Sequence, residues 1–349
     1  MIKLLIIGGI VIGLILVYFM VITLIPGFKV QNQPLAGVKS KTEKGASNRK
    51  DVSFSVNGDT ISAWLYLPDM AGATVPCIVM ANGSGGTKNM LLEGYARRFQ
   101  AAGMAVLSFD YRYFGGSEGA PRQLIWIPRQ LEDYAAAVDY ARGLEEIDSQ
   151  RIALWGTSLS GGHVITTAAR DHRIACIMAQ CPGVDGRASA KHALETMGIK
   201  YLLRMVVHGQ RDVCRGLLGL SPHRIPIVGK PGSIGMLTTP GELEFFEQFV
   251  PEKFVNETCA RIVIRGDKYR PIKYAGDVRC PVLMQVCEKD EIIPVSSARE
   301  TEKLLGTYAD ARYYPIGHFD IYKGEHFERA VEEQIGFLQK HLITPVTGS

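Results

Sequence analysis

Short apolar runs alternate with amphipathic stretches through most of the chain. The runs that predict buried strands are residues 76–81, 105–111, 151–155, 174–180, 280–287 and 311–315. Helical periodicity occupies the stretches between and after them, at residues 91–102, 129–142, 160–169, 295–305 and 326–341. Before the first of these runs, Asn57-Gly58 separates two alternating segments and predicts a β-hairpin. The whole pattern predicts an α/β fold with a mostly parallel sheet flanked by helices.

The alternation of strands and helices breaks between about residues 186 and 276. The first half of this segment is helical and contains Met and Leu, whereas its middle is rich in Pro and Gly. An insertion of this size between two sheet strands is typical of a cap or lid over a binding site. We therefore predict one soluble domain over residues 51–349 that carries an inserted cap over residues 186–276.

The N-terminus carries a long apolar run. Residues 4–25 contain no charged side chain, and Pro26-Gly27 ends the run. As a helix with a rise of ~1.5 Å per residue, this run is ~33 Å long, which matches a bilayer core of ~30 Å. We predict a transmembrane anchor in residues 1–27. A cleaved signal peptide is the alternative, but its apolar region is usually shorter and is followed by a cleavage site of small residues.

A polar segment over residues 28–50 follows the anchor and predicts a flexible linker to the soluble domain. Lysines dominate the charge just after the apolar run, at Lys29, Lys39, Lys41 and Lys44. By the positive-inside rule they favour the cytoplasmic side for the soluble domain. The odd number of cysteines, seven, agrees with that side because it cannot give a complete set of disulfides. A glycosylation sequon at Asn256-Glu257-Thr258 would fit the opposite side.

Composition narrows the function classes further. The 349 residues are 46% hydrophobic and 21% charged, which excludes general disorder. The net charge of +4 is mild, and no nucleic-acid partner is indicated. The sequence contains no CxxC pair, so zinc is not suggested as a cofactor.

A serine lies at a predicted strand-to-helix turn. The segment is Gly156-Thr157-Ser158-Leu159-Ser160-Gly161-Gly162. This is the setting of a nucleophile elbow, in which small neighbours permit the strained backbone that exposes the serine hydroxyl. The pattern is G-x-S-x-S rather than G-x-S-x-G. The plain alternative is an ordinary βα turn in which Ser158 or Ser160 caps the helix.

A base and an acid follow two later predicted strands. His318 comes directly after the last strand, and Asp290 comes after the preceding one. The carboxyl ends of parallel strands share one edge of a sheet, so we expect Ser158, Asp290 and His318 to meet there as a catalytic triad. Asp185 stays open as an alternative acid. Further candidates are the less favoured acid Glu288 and His163, which is expected to pack behind the elbow.

A hydrolytic nucleophile also needs donors for the oxyanion of its tetrahedral intermediate. The expected donors are the backbone N–H groups of Leu159, directly after the nucleophile, and of Ser84, in the Gly-rich loop that follows residues 76–81. A phosphate-binding loop is the alternative for residues 82–88. Lys88 is followed by Asn89 there, so the G-x-x-x-x-G-K-[ST] spacing is missing.

Over residues 51–342 the sequence resembles the α/β-hydrolase superfamily. Beyond the motifs above, the segment Phe109-Asp110-Tyr111-Arg112-Tyr113-Phe114-Gly115 and Trp155 before the elbow look like the bacterial branch of dienelactone hydrolases, acetyl-xylan esterases and X-Pro dipeptidyl peptidases. The resemblance implies an α/β-hydrolase fold and a Ser–His–Asp acyl hydrolase that needs no metal or organic cofactor. The expected substrate is a small-molecule or lipid-like ester or thioester.

Two other functions remain open at the level of sequence. A serine exopeptidase or amidase would need an acid for the substrate amine, which Glu242, Glu244 or Glu247 could supply from the cap. A non-catalytic, membrane-tethered binding module would keep the fold without the chemistry.

Overall fold

The computed structural model describes residues 2–25, 30, 34–35, 37, 49–69 and 74–343. Most of the predicted linker over residues 28–50 therefore lies outside the described residues. Ten strands are present in the described part of the chain: β1 Arg49–Val56, β2 Asp59–Tyr66, β3 Val75–Ala81, β4 Ala105–Phe109, β5 Ile147–Thr157, β6 Cys176–Gln180, β7 Arg224–Ile225, β8 Thr258–Cys259, β9 Val282–Cys287 and β10 Ala309–Tyr314. Eight α-helices accompany them: α1 Ile2–Leu24, α2 Leu92–Ala101, α3 Ile127–Arg142, α4 Leu159–Arg170, α5 Gly186–Leu217, α6 Glu242–Phe249, α7 Val295–Leu305 and α8 Gly324–Leu338.

Eight of the strands form one sheet in the order β1-β2-β4-β3-β5-β6-β9-β10. The predicted hairpin is present, with β1 and β2 antiparallel around Asn57-Gly58. β2 also pairs antiparallel with β4, and the remaining neighbours in the sheet, β4-β3-β5-β6-β9-β10, pair in parallel. The predicted α/β fold with a mostly parallel sheet is confirmed.

Helices cover both faces of this sheet. Successive residues of β3 and β5 point to opposite faces, and every residue of β3 is buried. One apolar core lies under α3, α4 and α7 and includes Tyr134 and Val164. The other lies under α2 and α8 and includes Trp155, Tyr95 and Phe99. Because both faces are covered, the chemistry is confined to the loops at the edge of the sheet.

The segment between β6 and β9, which includes the residues 186–276 of the predicted cap, holds α5, α6 and the small β7–β8 pair; we call it the cap segment, or cap. Asp185 begins α5 by accepting hydrogen bonds from the Arg187 and Ala188 N–H groups. The helix is bent at Gly198, where a φ of 80° interrupts the helical backbone. α5 packs on the 3-10 helix Ala260–Ile264, which brings the cap back to the sheet.

The N-terminal helix α1 has apolar side chains on all its faces. Within it, Ile6–Leu24 has a mean hydropathy of 2.7, and only 11% of this stretch is buried. By length and composition this helix is able to cross a membrane, a property that it shares with signal sequences. Its last turns contact α5.

Candidate active site

Ser158 lies on the turn between β5 and α4. Its φ of 54° and ψ of −120° are strained for a non-glycine residue. The turn is possible only because two nearby residues, Gly156 and Gly161, lack side chains. A Cβ on Gly156 would lie 2.1 Å from the Ser160 carbonyl oxygen, and one on Gly161 would lie 2.7 Å from the Pro182 Cα. The local sequence therefore builds the predicted elbow.

Ser160 accounts for the second serine of the G-x-S-x-S pattern. Its buried Oγ donates a hydrogen bond to the Asn82 carbonyl oxygen and accepts one from the Tyr111 hydroxyl at 2.7 Å. A glycine could not make these bonds. Ser160 thus ties the elbow to the Gly-rich loop after β3.

His318 and Asp290 are in direct contact. His318 Nδ1 lies 2.5 Å from Asp290 Oδ2, and both side chains are buried. The other carboxylate oxygen of Asp290 accepts the N–H groups of Ile292 and Ile293, each at 2.8 Å. These bonds fix the carboxylate, which in turn orients the imidazole so that Nε2 faces away from Asp290.

The same contact changes the titration of His318. Burial alone would lower the pKa of the imidazole, but the Asp290 carboxylate outweighs it and raises the pKa of His318 well above 6.5. We expect kcat/KM for an uncharged ester to fall as the pH decreases, with a midpoint above 6.5, because His318 can accept a proton only while it is neutral. Initial rates across pH, with thermal unfolding at each pH as the control, measure this. A midpoint below 6.5 would contradict the assignment of His318 as the base.

Ser158 and His318 do not form a hydrogen bond with each other in the described part of the chain. The neighbour within reach of His318 Nε2 is Cys181 Sγ, at 4.0 Å. Proton transfer therefore requires Ser158 Oγ to move into hydrogen-bonding distance of Nε2, a tightening that is common when substrate binds. Sequence reasoning missed Cys181, although its position directly after β6 marks the same edge of the sheet.

Two backbone N–H groups are available as oxyanion donors. Leu159 begins α4, where the first N–H groups have no acceptor within the helix. Neither the Leu159 N–H nor the Ser84 N–H donates to another group among the described residues. Ser84, Ser158 and Leu159 line the same cavity. Both N–H groups thus belong to residues that border the space beside Ser158.

Gly83 brings the Gly-rich loop against Ser158. A Cβ at this position would lie 2.9 Å from the Ser158 Cβ and 3.2 Å from the Thr157 carbonyl oxygen. Asn82 holds the loop in this place, since its side chain accepts the Gly83 N–H at 2.8 Å and donates to the Met90 carbonyl oxygen at 2.7 Å.

We expect Gly83→Ala to lower kcat by about 10²-fold, because the added methyl group must displace Ser158 from its position. Gly266→Ala is the matched control. Gly266 lines the same cavity, but its added methyl group would meet no atom within 4 Å. Steady-state kinetics and thermal unfolding of both variants test this prediction. Equal activities of the two variants would show that the close approach of Gly83 is unimportant.

The other candidates have structural partners. Asp185 caps α5 and forms an ion pair with Arg270 at 2.7 Å, so it is not the acid that contacts His318. Glu288 pairs with Arg299 at the surface. His163 is buried between Tyr269 and Gln130, and burial lowers its pKa to about 3, in agreement with its predicted packing role.

Lys88 also has a partner within the fold. Its ammonium group forms a buried ion pair with Asp110 at 2.7 Å. The backbone N–H of Lys88 donates to the same carboxylate at 2.6 Å. This pairing engages the lysine that a phosphate-binding loop would present to its ligand. The Gly-rich loop is therefore organised around Ser158 rather than around a phosphate.

A cavity of about 290 Å³ opens beside Ser158. Its cap wall comes from α5 and its neighbours, and the sheet side adds Ile292 and Ile293. The cap residues include Ala190, Ala193, Tyr201, Leu202, Met205 and Met236. The lining is largely apolar, so the cavity suits a hydrocarbon chain better than a charged group.

Glu242, at the start of α6, borders a second cavity that also reaches His318. The side chain is buried, and burial raises the pKa of Glu242 to about 7. Its Oε2 accepts the Thr239 N–H at 2.5 Å, whereas Oε1 has no hydrogen-bond partner among the described residues. Glu242 is thus an acid whose ionisation the fold disfavours.

We expect Glu242→Gln to stabilise the protein at neutral and alkaline pH. The pKa of Glu242 is 4.5 in the unfolded chain and is raised to about 7 in the fold. The protein therefore loses stability as the pH rises through this range, because the folded state must then hold a buried carboxylate. The cost is at most roughly 3 kcal/mol, and the amide removes it. Thermal unfolding of the full-length protein in detergent should show no gain in acid and a gain that levels off above neutrality. A gain that does not depend on pH would contradict the shifted titration.

Comparison with known proteins places this chain among hydrolases. The family described as X-Pro dipeptidyl-peptidase (S15 family) matches residues 57–197. A quorum-quenching protein, AidA, from Acinetobacter baumannii is 40% identical over 85% of this chain and 95% of its own length. The thiohydrolase aneE from Aspergillus aculeatus is 29% identical over 83% of this chain and 92% of its own length. The crystal structure of the α/β-hydrolase GrgF from Penicillium aligns with a TM-score of 0.70 at 25% identity, covering 85% of this chain and 99% of GrgF.

Proposed function

Because the chain belongs to the α/β-hydrolase superfamily, we propose that it is a serine hydrolase of carboxylic esters or thioesters. The observation that carries this proposal is the buried contact between His318 and Asp290 at the same sheet edge as the strained Ser158 elbow. Serine, aspartate and histidine are each common outside active sites. Their chain order here, and their positions after strands of a parallel sheet, are those of the catalytic triad of α/β-hydrolases.

In the proposed mechanism, His318 Nε2 takes the proton from Ser158 Oγ as that oxygen attacks the acyl carbon. The Leu159 and Ser84 N–H groups stabilise the oxyanion, and Asp290 stabilises the imidazolium. The imidazolium then returns its proton to the leaving alcohol or thiol, which leaves an acyl group on Ser158. Water, deprotonated by His318, attacks this acyl-enzyme and releases the carboxylic acid.

The apolar cavity beside Ser158 supports an acyl chain as the recognised part of the substrate. Relatives of this chain are named as thiohydrolases, which favours thioesters as well as esters among its substrates. Substrate selection should therefore depend on chain length more than on the leaving group.

Peptidase activity is the second candidate, because the matching family is described by a dipeptidyl-peptidase. A substrate amine would need an exposed acid near His318. Glu242 borders the relevant cavity, but it is buried and its ionisation is disfavoured. Lys289 and Lys323 line the same cavity, but so do Glu291 and Asp320, and Asp320 pairs with Lys323 at 3.0 Å. The charges of this cavity do not select against an ammonium group, and ester and thioester substrates are favoured by the apolar cavity beside Ser158.

We further propose that α1 anchors the hydrolase in a membrane. Its apolar surface is exposed along most of its length, which is unfavourable in water. All seven cysteines are unpaired, as expected of a domain on the cytoplasmic side. Retention of the full-length protein in membranes after alkaline extraction would support the anchor, whereas release would contradict it.

The full-length protein in detergent, assayed with p-nitrophenyl esters from acetate to dodecanoate and with the matching acyl thioesters, tests the proposed reaction. We expect turnover that rises with chain length until the cavity is filled. Cleavage of X-Pro anilides without ester turnover would favour the peptidase instead. A folded protein that cleaves none of these substrates would support a binding module without catalysis.

A further inference from the structure

The cap helix α5 is joined to the last turns of α1. Arg211 donates to the Ile22 carbonyl oxygen, and Arg215 Nη1 donates to that of Thr23 at 3.0 Å. The Tyr18 hydroxyl donates to Gln210 Oε1 at 2.6 Å. The two arginines donate to carbonyl groups in the last turn of α1. These carbonyl groups have no N–H donor within the helix. The cap therefore holds the end of α1 directly, independently of the linker.

These contacts set the height of α5 relative to a membrane. Tyr18 and Leu24 are six residues apart on α1, which corresponds to ~9 Å along the helix. The α5 segment from Gln210 to Arg215 thus lies beside the last ~9 Å of the apolar span, near the boundary between headgroups and acyl chains where interfacial helices sit.

Apolar side chains are concentrated on this part of the cap. Of the eleven large apolar side chains that are exposed among the described residues beyond residue 25, six lie between residues 194 and 220. We call these six the docking face: Leu194, Ile199, Leu203, Leu217, Leu218 and Leu220. Leu217 is 81% exposed and Leu218 is 65% exposed, just beyond the arginine that binds Thr23. Isolated apolar side chains are common on protein surfaces, but a concentration beside an apolar span is not.

The charge of α5 complements an anionic membrane surface. The helix carries six basic residues and two acidic ones. Lys200 and Arg204 are exposed beside the docking face. Of the two acids, Asp212 is buried in an ion pair with Arg261, and the exposed Glu195 pairs with Lys191 at 3.7 Å. Apolar and basic groups together on one helix are the pattern of interfacial membrane binding.

Other residues of the same helix, Ala193, Leu202 and Met205, line the cavity beside Ser158. We propose that the docking face rests on the lipid bilayer that holds α1, so that acyl substrates pass from the membrane under α5 to Ser158. This inference rests on the proposed anchor and on the proposed hydrolase reaction. The partner that it names is a phospholipid surface with anionic headgroups.

The full-length protein, reconstituted in vesicles of phosphatidylcholine and phosphatidylglycerol, tests the contact. Leu218→Trp places a fluorophore on the docking face. Leu304→Trp is the matched control, because Leu304 is a leucine of α7 that is 48% exposed. With lipids brominated in their acyl chains, and after subtraction of the three native tryptophans, we expect stronger quenching at position 218 than at position 304. Equal or weaker quenching at position 218 would overturn the proposal. A tryptophan at position 218 that is covered by a second copy of the chain, and is therefore not quenched by the lipids, would overturn it as well.

A functional readout separates membrane contact from catalysis. We expect the double variant Leu217→Glu and Leu218→Glu to lose activity several-fold on a long-chain ester dissolved in the vesicles, and to keep its turnover of a water-soluble acetate ester. Leu304→Glu should keep both activities. Unchanged activity of the double variant on the vesicle ester would overturn the proposal.

Alkaline extraction distinguishes the two levels of failure. Protein that is released from the vesicles would overturn both the anchor and the docking face. Protein that is retained, with position 218 unquenched, would overturn only the docking face. If the unchanged protein does not hydrolyse the acetate ester, the proposed hydrolase reaction is overturned. Quenching at position 218 would still support the membrane contact in that case.

Discussion

Ser158→Ala removes nearly all ester hydrolysis while the protein stays folded. The alanine side chain fits the strained turn but has no oxygen to attack the acyl carbon, so no acyl-enzyme forms. Loss of a triad nucleophile costs at least about 10³-fold in kcat, and the residual rate comes from substrate binding and the oxyanion donors. The measurement is kcat/KM for a p-nitrophenyl ester, with thermal unfolding to establish that the fold is intact.

Ser160→Ala is the matched control, because it changes the other serine of the same turn. Its Oγ bonds to the Asn82 carbonyl oxygen and to the Tyr111 hydroxyl, so its loss loosens the Gly-rich loop without removing the nucleophile. We expect a smaller loss of activity than for Ser158→Ala, together with lower thermal stability. A Ser158→Ala variant that keeps more activity than Ser160→Ala would place the nucleophile elsewhere.

Asp290→Asn should lower kcat by about 10⁴-fold. The carboxylate accepts a hydrogen bond from His318 Nδ1–H and so leaves Nε2 free to act as the base. An amide in its place can donate to Nδ1, which stabilises the wrong imidazole tautomer and no longer offsets the positive charge of the transition state. Steady-state kinetics measure the loss, and the KM should change much less than kcat.

Asp185→Asn is the control for this prediction, because the sequence alone leaves Asp185 as an alternative acid. Asparagine still caps α5, so the change mainly removes the ion pair with Arg270, at a cost of up to about 1 kcal/mol in stability. We expect its kcat to stay near that of the unchanged protein. A loss as large as that of Asp290→Asn would contradict the assignment of the acid.

The sheet was predictable from the sequence because its central strands are buried on both faces and read as continuous apolar runs. β5 was predicted less completely. It begins at Ile147, four residues before the predicted start, because Ile147 pairs with Val75 across an irregular register. The polar residues between 148 and 151 hide this extension from a reading based on hydrophobic runs.

The site was predictable to the extent that it follows strand ends. Ser158, Asp290 and His318 each follow a parallel strand, so their placement at one edge of the sheet follows from topology. The position of Cys181 beside His318 does not follow in this way, since it depends on a left-handed backbone after β6, where its φ is 34°. The contacts of α5 with α1 join residues that are almost 200 positions apart, and no local pattern encodes them.

Covalent labelling tests the central claim most directly. The full-length protein is treated with a fluorophosphonate, digested and analysed by mass spectrometry, beside the Ser158→Ala and Ser160→Ala variants. The account predicts one adduct, on Ser158, that is absent from Ser158→Ala and present in Ser160→Ala. An adduct on another serine, or ester hydrolysis by a protein that the probe does not modify, would contradict it.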